Sequence, residues 1–168
     1  MTIADALLPE FDQEMAGTRK VLSRCPEEKF DYTPHPKSWK MVSLATHIVN
    51  MMAWTVDVIG QDAFDVAPVG APPYKEDPAK SSADLMERFE KNVTAARAAI
   101  AAASDEHLMA QWALLQGGET MLSMPRIVCI RSFIMNHTIH HRAQLCVYLR
   151  LNDIPVPALY GPSADEAN

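Results

Sequence analysis

Glycine and paired strand patterns are scarce in this sequence. Only 6 of its 168 residues are glycine, and no two strand-like runs flank an Asn-Gly or Asp-Gly turn. Apolar residues recur instead at spacings of three and four, which is typical of amphipathic helices. The chain length is that of one domain, residues 1–168. These observations predict a single domain with an all-α fold.

Cysteine is also scarce, and its spacing argues against two common roles. The three cysteines are Cys25, Cys129 and Cys146. They form no CxxC pair, which argues against a zinc knuckle, and their odd number argues against a disulfide framework. Cys129 and Cys146 lie in an apolar helical segment and are interpreted as core residues rather than nucleophiles. The cysteines are therefore interpreted as reduced thiols, which predicts a cytoplasmic protein.

Surplus positive charge and long apolar runs are missing as well. The net charge is -6, from 15 Lys+Arg and 21 Asp+Glu, which does not suit phosphate backbones or anionic membranes. The longest uncharged apolar run, residues 41–56, is shorter than the roughly 20 residues that span a bilayer. Asp5 and Glu10 stand where a signal peptide would carry basic and then apolar residues. We therefore expect no nucleic-acid partner, no membrane and no export.

Four long helices joined by one long connection are predicted. The regular part of the first helix is expected after Pro9, because proline lacks the amide hydrogen that a helix interior uses. Ser81 and Asp84 resemble a capping box at the start of the third helix. Residues 61–80 carry four prolines and are predicted as a crossover loop, and a short helix is expected around residues 107–115. The pattern predicts a four-helix bundle with a long crossover loop, whose long helices run up to residue 25 and over residues 41–59, 82–103 and 125–151.

Three histidines fall on the apolar faces of two of these helices. His137 and His141 are four residues apart on the last helix, so both could bind one metal ion, as in HExxH zinc sites. His47 lies on the apolar face of the second helix and would supply a third ligand. Three neutral imidazoles suit Zn²⁺, Ni²⁺ or Fe²⁺ and leave a coordination position open, which favours catalysis. The two faces are Ile127, Ile130, Ile134, His137, His141, Leu145 and Tyr148 on one helix, and Leu44, His47, Met51, Trp54 and Val58 on the other.

Other interpretations of these histidines stay open at this point. A single inward histidine is more often a hydrogen-bonded core residue than a ligand, and HxxxH recurs by chance. His140 could pair with His137 instead of His141, although the apolar face that continues through Leu145 favours His141. His35 and His107 are expected to face solvent.

Motifs for other chemistry are absent from the sequence. GxGxxG, GxxxxGK[ST] and GxSxG do not occur, so dinucleotide binding, P-loop hydrolysis and nucleophile-elbow chemistry have no support. The apolar faces that carry the histidines hold no acidic residue, which argues against a di-iron carboxylate centre. An acidic group for proton transfer would have to come from the crossover loop.

Two segments carry a resemblance to a known family. NHTIHHRAQLCVYLRLNDIPVPALYGPSADE resembles the C-terminal signature of the DinB/YfiT-like metalloenzyme superfamily, and WKMVSLATHIVNM resembles its second-helix histidine segment. The resemblance implies a four-helix bundle with a long crossover, often a homodimer, with metal ligands at His47, His137 and His141. Ala143 replaces a glycine common after HHR, and Asn152-Asp153 replaces an Asn-Gly turn.

The resemblance also implies a range of activities. Similar proteins include thiol-dependent S-transferases and a mycothiol-dependent isomerase. We therefore expect a metal-dependent S-transferase that joins a low-molecular-weight thiol cosubstrate to a small electrophile, with no catalytic residue assigned beyond the metal site. The alternatives are a hydrolase in which the metal activates water and a metal-binding stress protein without catalysis.

Overall fold

The computed structural model describes residues 1–167 and is mostly helical. The four predicted long helices are present and form a helical core. The second long helix packs on the third and the last, and the first also packs on the third and the last. A short helix follows the third long helix, and the last long helix contains a π-helical segment. The bounds are α1 Ile3–Leu22, α2 Met41–Gly60, α3 Ser82–Ala102, α4 Asp105–Met109, α5 Arg126–Val128, the π-helical segment Cys129–Met135 and α6 Asn136–Arg150.

Helix α1 begins earlier than the position of Pro9 led us to expect. Thr2 caps it, since its hydroxyl accepts from the Asp5 amide while the Asp5 carboxylate accepts from the Thr2 amide. This capping box satisfies two amide groups that have no partner within the helix, and the fully buried Phe11 anchors the next turns in the core. The expectation that the regular part starts after Pro9 is therefore wrong. The predicted cap of α3 is confirmed, because the Ser81 hydroxyl accepts from the Asp84 amide.

Helix α2 is the apolar centre of the core. By length and mean hydropathy alone it could cross a bilayer, but a core helix passes the same test, and most of α2 is buried against its neighbours. Met41, Ile48, Met52 and Val58 are all fully buried. Helix α2 is therefore held along its length, which gives His47 a fixed place in the fold.

A small sheet corrects the expectation of an all-α fold. Strand β1, Ala63–Asp65, lies in the predicted crossover loop and pairs in parallel with β2, Gln111–Gln116, which pairs antiparallel with β3, Glu119–Pro125. The short helix predicted over residues 107–115 is wrong from residue 111 onward. Trp112 and Leu114 alternate with less buried neighbours along β2, which is the period of a strand.

The turn between β2 and β3 explains why this hairpin forms. Gly117 and Gly118 have φ angles of 62° and 83°, a left-handed conformation that glycine adopts without steric cost. The Asp65 carboxylate accepts hydrogen bonds from both of their amides and from the Ala67 amide, at 3.1, 2.7 and 2.9 Å. The end of β1 is thereby tied to the hairpin turn.

The crossover loop folds back over α2 after β1. The Tyr74 amide donates to the Val66 carbonyl at 2.7 Å, and the Ala79 amide donates to the Thr46 hydroxyl at 2.9 Å. Ala79 and Thr46 are both buried. These bonds hold the intervening residues, Glu76 among them, beside the middle of α2.

The π-helical segment changes which residues of the last helix face the core. A π-helical turn holds more residues than an α-helical turn, so it shifts the register of everything that follows. After the buried Met135, the fully buried positions are Thr138, Arg142, Leu145 and Leu149. His137 and His141 are half-buried at the edge of this face, which corrects the expectation that they lie within the apolar face of the helix.

Arg142 takes one of these core positions as a buried charge. Its guanidinium donates to the Glu14 carboxylate at 2.7 Å and to the Tyr160 hydroxyl at 2.6 Å, and the Tyr160 hydroxyl donates to Glu14 at 2.8 Å. A buried ion pair needs such additional hydrogen bonds to offset the loss of hydration. This cluster ties α1 and the proline-rich C-terminal segment to α6.

Candidate metal centre

Helices α2 and α6 bring the three predicted histidines together. His137 and His141 lie one turn apart on α6, and His47 faces them from α2. One ring nitrogen from each lies within 4.8 Å of the others, and the Nε2 atoms of His137 and His141 are 2.7 Å apart. His140 is exposed, and its Nε2 contacts the Gln144 amide nitrogen at 3.1 Å. The geometry therefore brings His141 rather than His140 into the cluster.

Two imidazoles of this three-histidine cluster have a side-chain partner that fixes their orientation. Nδ1 of His47 lies 3.0 and 3.2 Å from the two Glu76 carboxylate oxygens, and Nδ1 of His141 lies 2.7 Å from the Gln144 amide oxygen. His137 packs against Phe133, with ring centroids 5.9 Å apart. An ionised carboxylate only accepts, so Nδ1 of His47 donates, and in the neutral tautomer Nε2 keeps a free lone pair. Such outer partners are typical of histidines that bind metals.

Nε2 of His47 provides the test of whether a metal ion fits. This atom is buried and has no hydrogen-bond partner among the described residues. Leaving a buried polar atom without a partner costs about 1–3 kcal/mol. A divalent cation held also by His137 and His141 would supply the missing partner, so the residues present fit a metal ion.

The environment keeps two of the three histidines in the protonation state that ligation needs. Burial, together with the neighbouring His141 and His47, lowers the pKa of His137 to about 4. Burial also lowers the pKa of His141, against the opposing effect of its bond to Gln144. Both rings are therefore neutral at pH 7, and only a neutral imidazole offers a lone pair to a metal.

Glu76 is the site residue that the sequence did not single out. Its carboxylate also accepts from the Tyr74 hydroxyl at 3.4 Å, and the Trp54 indole donates to that hydroxyl at 3.4 Å. The crossover loop contains three other acidic residues, Asp62, Asp65 and Asp77, and no spacing rule distinguishes Glu76 from them. Only the fold of the loop over α2 places Glu76 against His47.

Two cavities adjoin the three-histidine cluster. The larger, of about 520 Å³, is lined by His47, His137 and Glu76 together with aromatic side chains. The smaller, of about 370 Å³, is lined by His141 and Gln144. Both volumes are in the range of small-molecule sites. The cluster is thus accessible to ligands of low molecular weight.

The remaining histidines and the cysteines lie outside this cluster. His35 is exposed, as expected, but His107 is half-buried and its Nε2 lies 2.7 Å from the Ile59 carbonyl, so the expectation that it faces solvent is wrong. Burial raises the pKa of Cys25 to about 12 and that of Cys129 to about 11, and burial also raises the pKa of Cys146. Thiols of such high pKa are poor nucleophiles at neutral pH. The buried Cys129 agrees with its interpretation as a core residue, whereas Cys146 is only partly buried.

Comparisons with known proteins agree with the fold. A model of the DinB family matches residues 1–168, whereas no curated protein matches the chain. A DinB-like protein from Bacillus cereus superposes with a TM-score of 0.71 at 22% identity, over 95% of this chain and 98% of that one. A DinB-like protein from Bacillus subtilis superposes with a TM-score of 0.70 at 18% identity, over 92% and 97% of the two chains.

Proposed function

The chain belongs to the DinB family, and we propose that it is a metal-dependent S-transferase that joins a low-molecular-weight thiol to a small electrophile. The observation that carries the proposal is the convergence of three imidazoles on the buried, unpaired Nε2 of His47. Three protein ligands leave at least one coordination position free, as in catalytic rather than structural zinc sites. We propose Zn²⁺, Ni²⁺ or Fe²⁺ as the ion, because imidazole suits all three.

A bound divalent ion would supply one chemical effect, the lowering of the pKa of a thiol held in the open position. The residues of the chain prepare that position. Glu76 and Gln144 orient the rings of His47 and His141, and the low pKa of His137 keeps its lone pair free near neutral pH. In the reaction, the thiol loses its proton to solvent, its sulfur forms a bond to the electrophilic carbon, and the leaving group departs with the electron pair of the broken bond.

The state of the chain's own cysteines supports an external thiol. Cys25 and Cys129 are buried, and their pKa values are raised to about 12 and about 11. Neither they nor Cys146 lines the two cavities beside the cluster. The sulfur nucleophile therefore comes from a cosubstrate.

We further propose that the enzyme acts in the cytoplasm as a homodimer, on small molecules and without nucleic-acid or membrane partners.

One observation favours hydrolysis as a second candidate function. The Glu76 carboxylate lines the larger cavity beside His47 and His137, where it could accept a proton from an attacking water. Carboxylates in this role are common general bases. The same residue also orients His47, so its position alone does not distinguish the two activities.

The test begins with protein purified without a histidine tag. We expect about one divalent ion per chain by elemental analysis, lost on chelation. In Co²⁺-substituted protein, added 2-mercaptoethanol, cysteine or glutathione should produce a sulfur-to-metal charge-transfer band. Conjugation of 1-chloro-2,4-dinitrobenzene should then depend on both thiol and metal.

The other outcomes identify the alternatives. Ester hydrolysis that proceeds without thiol, at a rate that rises with pH, would replace the transferase by the hydrolase. Metal binding without turnover in either assay would indicate a metal-binding protein without catalysis. A metal-free preparation that takes up no ion on reconstitution would exclude all three.

A further inference from the structure

The three-histidine cluster lies where two separate cavities meet. The larger cavity touches His47 and His137, and the smaller cavity touches His141. Trp39 lines both. A reaction between two substrates needs two places next to the reacting centre, whereas hydrolysis needs only one organic substrate. The following inference rests on the transferase function proposed above and assigns the two cavities.

Trp39 forms the wall between the cavities. Its ring stacks on His141 with centroids 5.7 Å apart at 23°, and it meets His47 edge to face with centroids 5.2 Å apart. The Tyr148 hydroxyl donates to the Trp39 carbonyl at 3.1 Å, which anchors its backbone to α6. The side chain is nevertheless 51% exposed. An aromatic ring that remains so exposed beside two imidazoles is suited to contact with a ligand.

Aromatic side chains, namely Trp39, Trp54, Tyr74 and Phe133, form part of the walls of the larger cavity. Trp54 lies 5.5 Å from Tyr74 and 6.0 Å from Phe133 between ring centroids, and Phe133 lies 5.9 Å from His137. These rings form a continuous surface that runs from the cavity wall to one of the imidazoles. Aromatic faces and edges contact planar rings favourably at such distances. The cavity of about 520 Å³ therefore suits a planar, mostly apolar molecule.

The smaller cavity has a different lining. Ser38 and Gln144 offer polar groups beside His141, and Leu44 and Val147 contribute aliphatic surface. Its aromatic lining is limited to Trp39, Tyr148 and the His141 imidazole. Its volume of about 370 Å³ suits a smaller and more polar molecule.

We propose that the two cosubstrates occupy different cavities: a planar aromatic electrophile binds in the larger cavity, against Trp54 and Phe133, and the thiol enters through the smaller cavity beside His141. Trp39 lies between the thiol and the electrophile along the two cavities. At the three-histidine cluster the cavities meet, and there the sulfur reaches the electrophilic carbon. The substrate class that follows is an aromatic or otherwise planar electrophile.

Two variants narrow one cavity each. Ser43 is half-buried, lines the larger cavity and lies one turn before His47 on α2, so Ser43→Phe should fill part of that cavity. Val147 lines the smaller cavity and is 56% exposed, so Val147→Trp should fill that cavity without disturbing the core. Ser43→Leu and Val147→Phe are smaller replacements for use if either first variant fails to fold.

Binding is measured without turnover. The aromatic probe is 1,3-dinitrobenzene, which has no leaving group, followed by quenching of tryptophan fluorescence. The thiol probe is 2-mercaptoethanol, followed by the charge-transfer band of Co²⁺-substituted protein. We expect Ser43→Phe to weaken binding of the aromatic probe at least about tenfold with little change for the thiol, and Val147→Trp to do the reverse.

The results separate failure of this inference from failure of the proposed function. Equal effects of both variants on one probe, no effect of either, or no binding of 1,3-dinitrobenzene to the unsubstituted protein would overturn the cavity assignment even if the protein conjugates thiols. Selective effects on the two probes would support the assignment, and if no thiol and electrophile pair then reacts, the transferase function alone fails.

Discussion

The two halves of the candidate metal centre are built in different ways. Helices α2 and α6 supply the three imidazoles, and the turns of each helix set the direction of its side chains. The other half comes from irregular chain: Trp39 precedes α2, and Tyr74 and Glu76 belong to the crossover loop. The comparison shows that the groups able to hold a metal lie on helices, whereas Trp39 and Glu76, two of the residues that contact His47, lie on irregular chain.

The two halves also differ in what holds them in place. The helices that carry the histidines are anchored by fully buried side chains such as Ile48, Met51 and Ile134. The crossover loop is mostly exposed and is fixed by hydrogen bonds such as those of Asp65 and Thr46. Exposed segments with few buried apolar contacts open locally at low free-energy cost. Changes in the loop should therefore alter the site with little effect on global stability.

The largest expected effect concerns the helical half. His47→Ala, His137→Ala and His141→Ala should each abolish stoichiometric metal binding, because each removes one of only three protein ligands. The loss should exceed the roughly 10–100-fold typical of outer partners. Isothermal titration with Zn²⁺ and elemental analysis measure it. His140→Ala is the matched control and should bind metal normally, and full occupancy in the His141 variant would contradict the assignment.

The helical half of the site could be predicted from the sequence, because helical periodicity is local. The spacing of His137 and His141 and the apolar face around His47 indicate that the three can converge, and the family resemblance assigns them as ligands. The bounds of α2 agree with the predicted segment within one residue. Their exact burial was not predictable. The π-helical segment Cys129–Met135 shifts the register, and its sequence differs little from that of an α-helix.

The loop half could not be predicted, because it depends on contacts between distant residues. Strand β1 has only three residues, and it pairs with β2 50 positions later. The Gly117-Gly118 pair is a usable signal for a hairpin turn, but the short helix predicted around residues 107–115 stands where the structure has most of β2. Glu76 reaches His47 only because the loop is fastened at both ends, and nothing in the local sequence encodes that.

Glu76 tests the loop half directly. Glu76→Gln should weaken Zn²⁺ binding by about 10–100-fold, because the amide no longer offers a charged acceptor to fix Nδ1–H of His47. Global stability to urea should change little. Asp77→Asn is the matched control, since it removes the same charge one residue away on the exposed loop. Equal affinities of Glu76→Gln and the control would show that the contact with His47 has no role in metal binding.

A smaller effect concerns the pH dependence of the metal-free protein. The ordinary histidine pKa is about 6.5, and that of folded His137 is about 4, so between these values the unfolded chain binds a proton that the folded chain does not. Stability should therefore fall as the pH drops through this window, and be fully present above it. His137→Phe should lessen the fall by on the order of 1–2 kcal/mol, discounted for partial exposure.

Urea unfolding with a chelator present, at several pH values from 4 to 7, measures this change relative to the unsubstituted protein. His140→Phe removes an exposed histidine from the same helix and should change this pH dependence less than His137→Phe does. If the unfolding free energy of His137→Phe and of the unsubstituted protein depends on pH in the same way, the pKa of His137 is not lowered in the folded protein.

The smallest expected effect concerns the fastening of the crossover loop. Hydrogen bonds from the amides of Ala67, Gly118 and Gly117 lower the pKa of Asp65. Their contribution is therefore fully present above the ordinary aspartate pKa of about 3.9 and is lost as the pH falls through the lower pKa of the folded protein.

Asp65→Asn should speed hydrogen exchange of these three amides at neutral pH while amides of α2 stay protected, and should weaken Zn²⁺ binding less than Glu76→Gln does. Glu119→Gln removes an exposed charge from the same hairpin and is the matched control. Faster exchange throughout α2 in Asp65→Asn would mean that loop and core open together, so that the two halves of the site are not energetically separate.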